Sequence, residues 1–366
     1  MKILINKSDL IDPLISVCGV VERRQTLPIL ANVLINVEKK SIKLTATDLE
    51  VESCFLMRHE SDEVGKTTVP AKKFLDIVKA LPEGSKIEIT IEEEKIKIQS
   101  GKSKFTLSTM PAEDFPSIES LEEVVRIQLL EKTLKSLLEK TLFAMAHQDV
   151  RYYLNGLLVE LDGQKIRTVA TDGHRLALTE AEHKTGHSEL LQIIVPRKGV
   201  LEMSRLLTEE ESDVELVISK NHLRLKTGKQ SLTTKLIDGK FPDYERVIPQ
   251  DTNKKVYADR EKLRNGMART SILSNEKFRG IRMILEEGKV IATANNPEQE
   301  TAEEEIEVMY SGESMEIGFN VSYLLDALNI IKSEQVLLEL KDSDSSCLIT
   351  SPEDSKSRYV IMPMRL

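Results

Sequence analysis

A short strand-ending segment occurs three times in this chain of 366 residues. It reads KLTATDLE at Lys43–Glu50, IRTVATDGHRLAL at Ile166–Leu178 and VIATANNP at Val290–Pro297. The copies stand roughly 125 residues apart, the length of a whole domain rather than of a solenoid unit. In the middle copy Ile166, Val169 and Leu176 are apolar, and Asp172-Gly173 is a favoured two-residue hairpin turn. The stretch therefore reads as strand, tight turn, strand.

Other landmarks recur in the same order. Each third opens on a strand followed by an amphipathic helix, expected at 7–24, 131–147 and 259–273; in the first, Leu10, Leu14, Val17 and Val21 follow helical spacing. A second helix is expected at 71–81, 197–207 and 321–332, entered through Val69-Pro70 and Val195-Pro196 in the first two cases. Phe115-Pro116 returns as Phe241-Pro242, and Met110-Pro111 as Met362-Pro363. These patterns predict three repeats, at 1–122, 123–251 and 252–366. Each is an α+β domain of antiparallel strands with two helices on one face.

Composition narrows the class. Apolar residues make up 40% and charged residues 30%, while aromatics are 4% and Trp is absent. The core must therefore rest on Leu, Ile, Val and Met. No apolar run approaches the length of a membrane span, and the first residues lack a signal-peptide pattern, so a cytoplasmic protein is expected. Cys18, Cys54 and Cys347 are scattered without a CxxC pair. That suits reduced thiols and gives no zinc spacing.

The net charge is −9, yet basic residues outnumber acidic ones on the six expected helices. Two readings stand. The helices share a side that faces a polyanion, or basic residues simply occupy exposed helix positions. No zinc finger, basic zipper or helix-turn-helix spacing is present, so any nucleic-acid contact is expected at phosphates and without sequence preference.

Asp172 and His174 invite comparison with a hydrolase. Residues two apart on a tight turn seldom form an acid–base pair, and neither a GxSxG elbow nor a phosphate loop, HExxH or EF-hand pattern occurs. No catalytic residue, metal site or cofactor is expected. The run Glu303–Glu305 reads as a solvated or partner-facing surface. A three-repeat interaction scaffold is a further alternative.

Taken together, QDVRYYLNG at Gln148–Gly156, TVATDGHRL at Thr168–Leu176, FPDY at Phe241–Tyr244, SNEKFRG at Ser274–Gly280, NNPEQE at Asn295–Glu300 and the terminal MPMRL resemble the bacterial DNA polymerase III beta sliding-clamp family across the whole chain. The resemblance implies a non-enzymatic processivity factor. Two chains join head to tail, so six domains encircle duplex DNA. Implied partners are the replicative polymerase alpha subunit, an ATP-driven clamp loader, translesion and repair polymerases, and mismatch-repair and ligase proteins that bind through short peptides.

The resemblance also implies site residues. Arg24, Gln148, Tyr152, Tyr153, Arg197 and Lys198 match DNA-contacting positions; in a strand the two tyrosines would point to opposite faces. A partner-peptide pocket matches Leu154, Thr171, Gly173, His174, Arg175, Leu176, Pro242, Arg246, Val247, Val360, Met362, Pro363 and Met364. Arg175 or Arg246 would hold a polar or acidic peptide group. Asp344 stands where many relatives carry an apolar residue. The dimer contact matches Phe105 and Leu107 against Ile272 and Leu273. Lys73, Lys102 and Lys104 would face Glu298, Glu300, Glu303 and Glu304, with Lys where relatives often use Arg.

Overall fold

The computed structural model describes every residue except 23–26, 93, 119–120, 187–188, 209 and 366. The first repeat runs β1 (Lys2–Asn6), α1 (Lys7–Cys18), β2 (Asn32–Glu38), β3 (Ser41–Thr47), β4 (Val51–Arg58), β5 (Gly65–Pro70), α2 (Ala71–Ala80), β6 (Lys86–Glu92), β7 (Lys95–Ser100) and β8 (Ser103–Ser108). The second has β9 (Glu123–Leu130), α3 (Glu131–Glu139), β10 (Gly156–Leu161), β11 (Lys165–Thr171), β12 (Arg175–Glu182), β13 (Leu191–Pro196), α4 (Arg197–Leu206), β14 (Asp213–Ser219), β15 (His222–Lys226) and β16 (Gln230–Lys235). The third has β17 (Lys254–Asp259), α5 (Arg260–Ser271), β18 (Gly280–Glu286), β19 (Lys289–Asn295), β20 (Thr301–Glu307), β21 (Met315–Asn320), α6 (Val321–Ile330), β22 (Gln335–Leu340), β23 (Cys347–Ser351) and β24 (Asp354–Ile361).

Every repeat thus follows one plan. Its first strand joins its last three in one sheet, and its middle four form another. All pairings are antiparallel, as hairpin connections allow. The chain divides into two compact units. One holds residues 1–132 and 198–236. Its sheets run β1-β6-β7-β8 and β5-β2-β3-β4-β16-β15-β14-β9. The other holds 133–197 and 237–366, with sheets β13-β10-β11-β12-β24-β23-β22-β17 and β20-β19-β18-β21.

The eight-stranded sheets are each made from two repeats. β4 pairs with β16, opposing Val51 to Thr234 and Phe55 to Gln230. β12 pairs with β24, opposing Arg175 to Ile361 and Thr179 to Ser357. The same rule leaves β8 and β20 as sheet edges without a partner strand among the described residues.

The sheets bury Leu, Ile and Val on the helix-covered face, and the largest fully buried side chains include Phe74, Phe319, Leu14 and Leu138. Two first helices are shorter than the sequence spacing predicts. α1 stops at Cys18, although Gly19 after it keeps helical dihedrals, φ −56° and ψ −36°. The missing side chain matters there, since a Cβ on Gly19 would lie 2.6 Å from Glu202 Oε2. α3 stops at Glu139, where the buried Thr141 turns its hydroxyl onto the Leu137 carbonyl at 2.8 Å. A short 3-10 turn at Leu142–Ala144 replaces the rest of that expected helix. α5 begins after Asp259, whose carboxylate accepts from Lys262 N at 2.9 Å as an N-cap. No helix among the described residues is long and apolar enough to cross a membrane.

The three thiols are free. Burial pushes Cys18 up to about 12 and raises Cys54 and Cys347 as well. A thiol so displaced is almost entirely protonated near neutral pH, and only the thiolate is nucleophilic. Iodoacetamide at pH 8 should therefore label Cys54 and Cys347 only after unfolding by denaturant. Labelling of both in the native protein, read by mass spectrometry, would contradict that burial.

Candidate functional site

The turn after β11 is built by its own side chains. Thr171 Oγ donates to the Arg175 carbonyl at 2.6 Å and accepts from Gly173 N at 3.1 Å. Asp172 Oδ1 accepts from the backbone of His174 and Arg175 at 2.9 and 3.0 Å. Gly173 adopts φ of 88°, a left-handed conformation that side chains disfavour. A Cβ there would also lie 2.9 Å from the Arg151 guanidinium.

This local chemistry removes the geometry a hydrolase would need. The second oxygen of Asp172 pairs with Arg175 Nε at 3.1 Å. The His174 ring instead stacks near Tyr323, with centroids 6.5 Å apart. Arg175 is also not the free cation the sequence suggests. Its Nη1 pairs closely with Asp326, Nη2 donates to the Phe143 carbonyl at 2.8 Å, and the guanidinium lies 4.5 Å from the Tyr323 ring centre. Arg246 is the more available of the two. Its side chain is 84% exposed and pairs with Asp243 at 2.7 Å.

Beside the turn lies a cavity of about 180 Å³. Of the expected pocket residues, Leu154, Thr171, Gly173, Arg175, Leu176, Pro242, Val247, Val360 and Met362 line it. His174, Arg246, Pro363 and Met364 do not. The chain end is nevertheless tied beside the cavity: Met362 N donates to the His174 carbonyl and Met364 N to the Gly318 carbonyl, both at 2.9 Å. Arg151, Tyr153, Asp243 and Tyr244 complete the lining and were not expected there. Asp243 and Tyr244 belong to the FPDY motif, which was the available signal. Asp344 is exposed on the β22–β23 connection and does not line the cavity. An apolar hollow with a few charged groups at its rim suits the apolar side chains of a short peptide.

The expected DNA-contacting residues fare unevenly. Arg24 lies outside the described residues. Gln148 is exposed in a left-handed conformation, with φ of 58°. Tyr152 and Tyr153 sit in a 3-10 turn, Tyr152–Asn155, and not in a strand. Tyr152 is 57% exposed, whereas Tyr153 packs on the buried cluster around Leu158 and Leu176 and lines the cavity. Tyr153 is therefore a pocket residue here. Arg197 donates to the Met145 carbonyl at 3.1 Å. Lys198 is held by Asp48 and by Glu22 at 2.6 Å, and donates to the Val20 carbonyl at 3.0 Å. Although burial opposes its charge, these carboxylates raise the Lys198 ammonium above its ordinary value. In this structure it ties α4 to the Asp48 turn.

The residues expected at a dimer contact lie on exposed ground. Ile272 is 74% exposed, Phe105, Leu107 and Leu273 are half-buried, and Lys73, Lys102, Lys104, Glu298, Glu300 and Glu303 are exposed. Glu304 differs, because Arg269 already pairs with it and lowers its carboxyl below the ordinary range. Glu300 accepts from the Asn296 amide at 2.6 Å. Among the described residues no group of three His, Cys, Asp or Glu side chains is placed to hold a metal ion.

Comparison with known proteins agrees with this architecture. Models of the N-terminal, central and C-terminal domains of the DNA polymerase III beta subunit match residues 1–119, 128–243 and 245–365. The beta sliding clamp of Pseudomonas aeruginosa is 51% identical over the full length of both chains. That of Escherichia coli K12 is 47% identical, again with full coverage of both. A crystal structure of a sliding clamp from Pseudomonas aeruginosa bound to griselimycin superposes with a TM-score of 0.96 and 51% identity, covering all of each chain. The chain belongs to the family of DNA polymerase III beta subunits, the non-enzymatic sliding clamps of bacterial DNA replication.

Proposed function

We propose that two copies of this chain close head to tail into a ring around duplex DNA, and that the ring tethers polymerases and repair proteins by short peptides held in the cavity. Two of the sheet edges, β8 and β20, carry this reading. In the chain, the edge strand of one repeat's middle sheet pairs with the last strand of the next repeat, β4 with β16 and β12 with β24. The third instance of the same pairing is β20 of one copy with β8 of another. Such a contact is heterologous, and two copies satisfy both free ends. Charge favours it, since β20 carries Glu303, Glu305 and Glu307, while Lys102 and Lys104 lie at β8. Exposed pairs add only about 0–1 kcal/mol each. The apolar contact of Ile272 and Leu273 with Phe105 and Leu107 supplies most of the strength.

The three repeats of this ring member are 1–122, 123–251 and 252–366. Arg24, Gln148, Tyr152 and Arg197 meet phosphates without reading bases. The peptide's apolar groups enter between Leu154, Leu176, Val247, Val360 and Met362, where Met provides an adaptable wall for several partners. Arg246 meets an acidic group at the rim. Griselimycin, bound by the Pseudomonas aeruginosa relative, occupies the same cavity. The replicative polymerase alpha subunit, the clamp loader and repair proteins compete for it in the cytoplasm. Asp344 acts at most at the edge of a bound peptide.

The test is topological. The protein is loaded onto nicked circular DNA by a clamp loader, free protein is removed, and the circle is cut. Retention on circles with loss from linear ends is the expected result. Equal retention on both would replace the ring with direct binding and favour a scaffold.

A further inference from the structure

One wall of the cavity belongs to no strand or helix of the core. Pro242, Asp243, Tyr244 and Val247 lie on the connection between β16 and β17, ordered only as a 3-10 turn at Tyr244–Val247. Besides the bonds of that turn, Ile248 N donates to the Glu245 carbonyl at 3.3 Å, and the start of the connection is pinned to β13 by Ile237 N on the Ile194 carbonyl at 2.9 Å. The segment is held by side chains. Phe241, Tyr244 and Ile248 are buried against Leu158, Val169, Leu178 and Ile194. Apolar contact of this kind holds a segment down without fixing its position along the surface, because it is non-directional.

A directional anchor is present at Tyr244, and the neighbouring Glu245 carboxylate lies 3.8 Å from Arg167 Nη1. The Tyr244 hydroxyl donates to Glu160 Oε2 in a short contact and accepts from Arg167 Nη1 at 2.8 Å. Both partners are fixed in turn. Glu160 Oε1 accepts from the Gln192 amide at 2.7 Å. Arg167 directs Nη2 and Nε onto Glu180 at 3.0 and 3.1 Å. Glu160 lies on β10, Arg167 on β11, Glu180 on β12 and Gln192 on β13, so the anchor spans four adjacent strands. The Glu160 carboxylate and the Tyr244 ring are buried, and neither Glu160 nor Arg167 lines the cavity.

We propose that the Glu160–Arg167 pair is a positioning device for partner binding: by fixing the Tyr244 hydroxyl it sets the distance between the Pro242–Val247 wall and the sheet, and so the width of the peptide cavity. This rests on the assignment of the cavity as the peptide site. A buried, fully hydrogen-bonded network specifies one geometry, and a half-satisfied one does not. Removing the hydroxyl leaves the ring's packing in place but frees the wall to shift along it. The expected consequence is weaker binding with little change in the fold.

Fluorescently labelled griselimycin is the probe, read by anisotropy on the full-length protein. Tyr244→Phe should weaken binding roughly three- to tenfold, chiefly through faster release. Glu160→Ala should weaken it at least as much. Glu160→Gln keeps an acceptor for the hydroxyl and should return affinity to within about twofold of the parent. Amide exchange should rise within 241–248 in Tyr244→Phe and stay unchanged in β10 and β11. A purely structural role would lower the unfolding temperature while leaving affinity at 25 °C intact; that result for Tyr244→Phe overturns the proposal. If Glu160→Ala does not fold, Tyr244→Phe decides alone. Failure of the parent protein to bind the probe would instead overturn the peptide-site assignment, and this proposal with it.

Discussion

Ile272→Asp combined with Leu273→Asp should yield a folded monomer that runs off circular DNA as readily as off linear DNA. Ile272 is 74% exposed and Leu273 half-buried, immediately after α5. A large apolar side chain in water at the end of a helix contributes little to its own fold, so substitution there changes folding stability only slightly. In the proposed ring the same side chains leave water against Phe105 and Leu107 of the second copy. Burial of an aliphatic side chain is worth about 1.5–3 kcal/mol. Two such losses per joint and two joints per ring give roughly 6–12 kcal/mol, or about four to nine powers of ten in dimer affinity. Burying the introduced carboxylates adds to the penalty. Sedimentation velocity reads the assembly state, and the circular-DNA assay reads the topological consequence. A dimer that keeps its hold on circles despite both aspartates would remove the head-to-tail joint from consideration. Should Leu273→Asp impair folding, Ile272→Asp alone still tests the contact.

The repeat was legible because its turns are made by local chemistry. Asp48 accepts from the backbone of Glu50 and Val51 as Asp172 does from His174 and Arg175. Asn296 accepts from Glu300 N in the third copy. A side chain that organises its own next few residues leaves a readable trace. The sheet joints were not legible. β4 meets β16, and β12 meets β24, across roughly 180 residues in each case, and strand register at that separation has no local signature. Helix ends were missed for a related reason. Val20 and Val21, or Phe143 to Ala146, continue an apolar pattern because they are buried or half-buried, although the backbone has left the helix.

The candidate site divides in the same way. The apolar lining, Leu154, Leu176, Val247, Val360 and Met362, was found through the family resemblance, because residue type alone reads Leu154, Leu176 and Val247 as ordinary core. Charged residues were harder, since their role depends on what they meet. Lys198 and Arg175 look like free cations in the sequence, yet one is engaged by Asp48 and Glu22, the other by Asp172 and Asp326. Tyr153, matched to a DNA-contacting position in an expected strand, sits instead in a 3-10 turn and lines the cavity.

Arg175→Met should therefore act through the fold around the cavity and not through a lost contact to the peptide. The substitution keeps the aliphatic stem and removes the guanidinium. Asp172 then loses its partner at 3.1 Å, Asp326 loses its own, the Phe143 carbonyl loses a donor, and Tyr323 loses the cation over its ring. The Arg175 side chain is 12% exposed and Asp172 is 16% exposed, so solvent replaces little of this. Breaking such a pair by removing one member costs about 3–5 kcal/mol when fully buried. Asp326 is 42% exposed, which places the expected loss lower, at roughly 2–4 kcal/mol. Calorimetry should show that loss, and griselimycin binding should fall by more than tenfold as Thr171, Gly173 and Leu176 lose their fixed turn. Asp326→Asn separates the two roles. Asp326 does not line the cavity, so a direct peptide contact by Arg175 would be unaffected or strengthened when its carboxylate is removed. The geometry requires the opposite: weaker binding in Asp326→Asn, with a smaller loss of stability than in Arg175→Met, because one neutral hydrogen bond to Arg175 survives. Unchanged or tighter binding in Asp326→Asn would return Arg175 to the role of a direct peptide contact.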